Sequence, residues 1–155
     1  MGALQVLNRQ ADRLEGEVVA ALFFEDVRPL AGPAGLLDWR LNGRLTELLL
    51  RQEVSGRRGE QVLVANNGKL AADWILFFGG GCRRELNAED YGELLRQLLG
   101  VCRAAGFAFI SLCLPLVPGM DRKLPERELE RVLAEFPDSA VECRLTLDPE
   151  LVVVS

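Results

Sequence analysis

Histidine is missing from this 155-residue sequence altogether, and lysine occurs only at Lys69 and Lys123. Imidazole is the side chain whose ordinary pKa suits proton transfer near neutral pH. Its absence removes the usual general base and the usual partner of a serine or cysteine nucleophile. Neither lysine sits in an SxxK setting that would let it take over that role. Histidine would also have been the nitrogen donor of a metal site. The four cysteines (Cys82, Cys102, Cys113 and Cys143) are widely spaced without a CxxC pair, so no zinc or other metal site is expected. The Walker A pattern is absent and Gly79-Gly80-Gly81 does not fit GxGxxG, so no cofactor is expected either.

Long apolar runs are also lacking. The stretches Val18 to Phe24 and Phe107 to Val117 fall short of the roughly 20 residues that span a bilayer, so no membrane helix is expected. Asn8, Arg9, Asp12, Arg13 and Glu15 interrupt any secretory h-region, and Val6 stands where a myristoylation motif needs Ser or Thr. These features point to a cytoplasmic protein whose cysteines are reduced and mostly buried. Basic residues number 18 against 23 acidic, a net charge of −5, which makes nucleic acid an unlikely partner.

What is present is apolar side chain, 49% of the composition, enough for the core of one domain over residues 1–155. Short β-rich runs alternate with longer helical ones, the pattern of an α/β fold. Strands are predicted at Leu4 to Leu7 and Glu17 to Phe24, with a turn of helix between them. Leu36, Leu37, Leu41, Leu45, Leu48 and Leu49 recur at helical spacing, predicting one amphipathic helix to about Arg51 with Gly43 inside it. Gln61 to Ala65 and Trp74 to Phe78 read as neighbouring strands across Asn66-Asn67-Gly68.

Asn87 caps a helix with acidic Glu89 and Asp90 in its first turn and a natural stop at Ala105-Gly106. Its buried face carries Tyr91, Leu94, Leu95, Leu98 and Cys102. Phe107 to Leu114 is a strand closed by Pro115 and the Pro118-Gly119 turn. A helix opened by Pro125 buries Leu129, Val132, Leu133 and Phe136 and stops before Pro137. Ala140 to Leu147 alternates apolar and polar residues, a half-exposed strand at the sheet margin that Leu151 to Val154 extends or leaves to pair elsewhere.

The most suggestive segment is Gly79-Gly80-Gly81-Cys82-Arg83-Arg84. A strand end, a glycine turn, two guanidinium groups and a following helix N-terminus are the parts of an anion site. The same residues also suit a plain connection with solvated arginines. Arg57-Arg58 reads as a solvated loop pair, and Trp39 and Trp74 as core or interface aromatics. Glu25-Asp26, Glu89-Asp90 and the pair Glu126 and Glu128 sit at element ends, where helix dipoles and solvent account for them.

The order of features has a familiar counterpart. Leu22-Phe23-Phe24-Glu25-Asp26 is followed by Pro29-Leu30 and then by Gly35-Leu36-Leu37-Asp38-Trp39-Arg40-Leu41-Asn42-Gly43. Ser55-Gly56 with Gly59-Glu60 comes next, and an apolar strand runs into a glycine turn at Gly79. Over roughly residues 4 to 115 this series resembles the amino-terminal domain of the leucyl aminopeptidase family. The resemblance implies a three-layer α/β/α macro-like sandwich with a mixed sheet. In that family the metal ions and catalytic residues belong to a separate carboxy-terminal domain. The sequence ends at Ser155, so the resemblance carries no metal ligand over. The family's turn usually reads Gly-Leu-Gly before a basic residue, where this sequence has Gly79-Gly80-Gly81-Cys82-Arg83.

Such domains mostly support oligomer assembly, and in some members contribute to DNA binding. The resemblance therefore implies a non-catalytic assembly or protein-interaction domain, forming a homo-oligomer or binding a protein partner. The alternative it carries is a module for ADP-ribose or another nucleotide-like anionic small molecule, seated at Gly79 to Arg84.

Overall fold

A computed structural model describes residues 3–117, 119–136 and 141–148. It contains β1 (Ala3–Val6), β2 (Gly16–Phe23), α1 (Gly32–Arg40), α2 (Arg44–Leu50), β3 (Gln61–Ala65) and β4 (Ala72–Gly79). The chain continues through α3 (Ala88–Ala104), β5 (Phe109–Pro115), α4 (Leu124–Ala134) and β6 (Glu142–Asp148). Pro118, the stop at Pro137, the strand start at Ala140 and the segment Leu151 to Val154 lie outside the described residues.

The six strands form one sheet in the order β1-β6-β5-β2-β4-β3, parallel throughout except for β3, which pairs antiparallel with β4. β2 is buried on both faces, as strands of a covered parallel sheet are. Its residues alternate between two cores. Val18, Ala20, Leu22 and Phe24 pack with α3 and α4, whereas Val19, Ala21 and Phe23 pack with α1 and α2. The result is the three-layer α/β/α macro-like sandwich with a mixed sheet expected from the sequence.

Asn87 accepts the Asp90 N–H at 2.9 Å and starts α3, whose Leu94, Leu95, Leu98 and Cys102 are 1% exposed or less. Each leucine buried to that degree contributes about 2 kcal/mol. The Tyr91 hydroxyl on the same face donates to the Pro115 carbonyl at 2.9 Å and ties α3 to the end of β5.

Two expectations need correction, and a third is narrowed. The predicted helix to Arg51 is two helices, because Asn42 and Gly43 adopt left-handed φ of 60° and 77°. The break is held by Asp38, 4% exposed, whose carboxylate accepts the Leu45 N–H at 2.6 Å and the Thr46 hydroxyl at 2.6 Å. A buried carboxylate aimed at the first turn of α2 outweighs the continuous leucine periodicity. β6 is not at the margin, since β1 pairs outside it. Thr146 on its polar face is buried and donates to the Arg9 carbonyl at 2.8 Å. Of the two readings of Trp39 and Trp74, core or interface, exposures of 71% and 39% exclude the core.

Candidate functional site

The carboxyl ends of β2, β4 and β5 lie side by side, and the connections leaving them diverge. From β2 the chain runs through α1 and α2 to the edge strand β3 and turns back along β4, and from β4 it crosses through α3 to β5 on the far side of β2. This is the switch point at which open α/β sheets commonly form a crevice. Gly79 to Arg84 leaves β4 there, so all six residues picked out in the sequence come together at this end of the sheet.

Their backbone is engaged by the protein itself. Gly79 N–H donates to the Glu60 carbonyl at 2.7 Å, Gly80 N–H to Phe23 at 2.9 Å and Gly81 N–H to Gly56 at 2.9 Å. Packing requires Gly79 and Gly80, and a left-handed φ of 78° favours glycine at Gly81. A Cβ at Gly79 would lie 2.0 Å from the Arg57 carbonyl oxygen, and one at Gly80 would lie 2.4 Å from the Phe24 ring.

Beyond the glycines the acceptor is Asp26. Its carboxylate accepts the Arg83 N–H at 2.7 Å, the Arg84 N–H at 3.2 Å and the Cys82 thiol at 3.4 Å, and the Arg84 Nε stands 3.4 Å away. Partial burial works against the charge, but the two backbone donors and the thiol outweigh it and hold the pKa at about 2, below the usual 3.8. The sequence reading assigned Asp26 to solvent at an element end. The structure corrects this: its side chain is 13% exposed and occupies the nest of N–H groups that an external anion would otherwise meet. The correction could not be read locally, because Asp26 and Arg83 are 57 positions apart.

Glu60 does the same for the preceding loop. Burial opposes its charge, yet N–H groups of Ser55, Gly56 and Arg57 at 2.9, 2.7 and 3.0 Å keep its pKa below the ordinary value. The Ser55-Gly56…Gly59-Glu60 motif was visible in the sequence, but its purpose was not. Arg58, taken for a solvated residue, reaches Asp90 at 3.4 Å, and Arg57 stands 3.8 Å from Glu60.

The crevice between the ends of β2 and β5, walled by Phe23, Phe24, Leu30, Cys113, Pro115 and Arg83, has a free volume of about 20 Å³. That is room for about one water molecule. α1 opens beside it at Ala31 without a side-chain cap. Outside it, Asp26, Val27, Arg83, Arg84 and Val117 edge an open depression of about 630 Å³. The Arg83 guanidinium lies 5.8 Å from the Phe24 ring centroid, and Arg84 projects into solvent with 85% of its side chain exposed.

Cys82 is half-buried, while Cys102, Cys113 and Cys143 are buried. Burial pushes the thiols of Cys102 and Cys143 up to about 12. Among the described residues no group of three or more His, Cys, Asp or Glu side chains converges as metal ligands would. No described helix is long and apolar enough to cross a membrane.

Comparison with known proteins places these features. The family model described as the cytosol aminopeptidase family, N-terminal domain, matches residues 21–132, which begins later than the sequence resemblance and runs further, into α4. A probable cytosol aminopeptidase of Methylobacillus flagellatus is 29% identical over 101 residues, covering 65% of this chain and 20% of its own length. The cytosol aminopeptidase of Pseudomonas aeruginosa is 28% identical over 110 residues, 70% of this chain and 22% of its own. The chain thus spans about a fifth of the curated relatives it matches.

Among solved structures, a tomato leucine aminopeptidase superposes with a TM-score of 0.71 at 16% identity, over 95% of this chain and 32% of its own. The macrodomain of Mycobacterium tuberculosis DarG gives 0.71 at 18%, over 96% and 99%. A Trypanosoma brucei macrodomain in complex with ADP-ribose gives 0.68 at 17%, over 93% and 63%. At these identities the likeness is one of fold.

Proposed function

The chain belongs to the cytosol aminopeptidase family through its N-terminal domain, and from that premise we propose that it acts as a non-catalytic assembly or protein-interaction domain in the cytosol. The observation that carries this reading is the distribution of uncovered apolar side chains. Of the five large hydrophobic residues that stand exposed among those described, Trp39, Leu50, Leu63 and Trp74 belong to α1, α2 and the β3–β4 hairpin. The turn of that hairpin is tied to the end of α1 by Asn67 donating to the Arg40 carbonyl at 3.0 Å, and Lys69 reaches Asn42 at 3.0 Å. Trp39 and Leu50 stand on the helices over one face of the sheet, and Leu63 and Trp74 stand on the opposite face, since Val62, Val64, Ile75 and Phe77 are the residues that pack toward α1 and α2. Exposed aromatic and leucine side chains of this kind are features of contact surfaces.

The closed crevice supports the same reading, because a pocket for a nucleotide-sized ligand needs about 300 Å³ or more. Sedimentation velocity across a wide concentration range, with affinity capture from cell extract, tests it. The expectation is a concentration-dependent oligomer or a stoichiometric protein partner. A strictly monomeric protein that captures nothing would end the proposal.

The depression at Arg83 and Arg84 favours a second reading, an anionic small-molecule module of the ADP-ribose kind. The Arg84 side chain is 85% exposed beside Asp26, and Val27 and Val117 add apolar lining. Calorimetric titration with ADP-ribose decides between the two. Heat lost in Arg83→Ala and Arg84→Ala with assembly unchanged supports the module, and no heat in the parent protein rejects it.

A further inference from the structure

We propose that β3 is a pairing edge for a second copy of this chain, joining two sheets into one across a two-fold axis. This deepens the assembly reading and rests on it, by naming the surface and the partner.

β3 ends the sheet, and its hydrogen-bond phase is set by its neighbours. Asn66 N–H donates to the Asp73 carbonyl at 3.0 Å and Gly79 N–H to the Glu60 carbonyl at 2.7 Å. In the β3–β4 register these bonds place the backbone groups of Val62 and Val64 toward β4. The N–H and C=O groups of Gln61, Leu63 and Ala65 therefore point outward, and no partner for them occurs among the described residues.

Natural sheet edges usually carry a device against such pairing: a lysine, a proline, a bulge or a covering segment. Gln61–Ala65 has no charge, no proline and an uninterrupted register. Leu63, 46% exposed, and Trp74, 39% exposed, flank it on one face of the sheet.

The occupant follows from self-complementarity. Antiparallel pairing centred on Leu63 sets Leu63 against its own copy, Gln61 against Ala65 and Glu60 against Asn66. No like charges meet along the seam, although the chain as a whole carries −5 and repels its copies elsewhere. The alternation of outward groups then allows about six main-chain hydrogen bonds across the axis. The Glu60 carboxylate is turned back onto the N–H groups of Ser55 to Arg57, and Arg58 is drawn toward Asp90, so neither charge is committed to the seam.

Sedimentation velocity of the full chain and four variants tests this. The parent protein is expected to show a reversible monomer–dimer equilibrium. Leu63→Lys, which sets two ammonium groups opposite each other, should weaken the dimer more than about tenfold. Ala65→Pro should weaken it too, since that N–H serves the seam and not the β3–β4 ladder. An equimolar mixture of Leu63→Lys and Leu63→Glu should recover the dimer, and Val6→Lys on the opposite edge should leave it intact. Far-UV circular dichroism confirms the fold of each variant. A dimer that survives both Leu63→Lys and Ala65→Pro, or one broken by Val6→Lys, overturns the β3 seam while assembly itself stands. A parent protein that is monomeric at every concentration overturns the β3 seam, and if it also captures no partner the assembly reading falls with it.

Discussion

Replacing Asp26 with asparagine removes an ionised acceptor and presents an amide N–H₂ to donors that need an acceptor. The N–H groups of Arg83 and Arg84, at 2.7 and 3.2 Å, lose their charge-assisted partner. The fall in the Asp26 pKa from 3.8 to about 2 sets the scale. It converts to at most about 2 kcal/mol, and solvent reaching the carboxylate trims this to about 1 kcal/mol. Because the folded-state pKa is depressed, this stability is fully present above the unfolded value near 4. It is lost as pH falls toward 2. Urea denaturation of both proteins at pH 7, 4 and 3 is the assay. At pH 7 Asp26→Asn should be about 1 kcal/mol less stable, or about 3 °C lower in Tm, and the gap should shrink through the acid series. A gap that stays constant from pH 7 to pH 3 would refute the claim that the ionised carboxylate holds the turn.

Three other substitutions or modifications probe the same framework. Gly79→Ala drives a Cβ to within 2.0 Å of the Arg57 carbonyl oxygen and should cost about 2–3 kcal/mol in urea unfolding. A smaller effect would mean that the Ser55 to Gly59 loop yields easily. Asp38→Ala leaves the first turn of α2 uncapped and should lower stability by about 1–2 kcal/mol, measured by thermal melting. Alkylation with iodoacetamide at pH 8, followed by peptide mass spectrometry, should modify half-buried Cys82 first. Cys102 and Cys143, buried and with pKa raised to about 12, should react only on unfolding. Equal labelling of Cys82 and Cys102 in the folded protein would contradict the packing of α3.

Much of the fold was legible because local chemistry marks it. Asn87 with Glu89 and Asp90 starts α3, Gly106 ends it with φ 87°, and the alternating apolar residues of β3 appear at the expected positions. The leucine run from Leu36 to Leu49 misled because periodicity reports which side is buried. It does not report whether a carboxylate seven residues upstream of Leu45 has broken the helix and capped its continuation. Thr146 misled for a related reason. An alternating pattern marks a polar face, and only the 137-position separation closed by its bond to Arg9 shows that face covered.

By itself, the sequence determined what chemistry this chain has to work with. Without histidine it has no imidazole base, and its apolar periods dictate strands and helices that must stack in layers. It also determined the glycines at the β4 turn, though not their use. The tertiary structure decided which donors meet which acceptors, and so that Asp26 fills the nest at Arg83 and Arg84. It decided as well that the crevice between β2 and β5 closes and that β3 stands at an edge with Leu63 and Trp74 uncovered. The physical reason is range. Turn and helix preferences act over a few residues, whereas charge neutralisation, crevice volume and strand order depend on residues brought together from far along the chain.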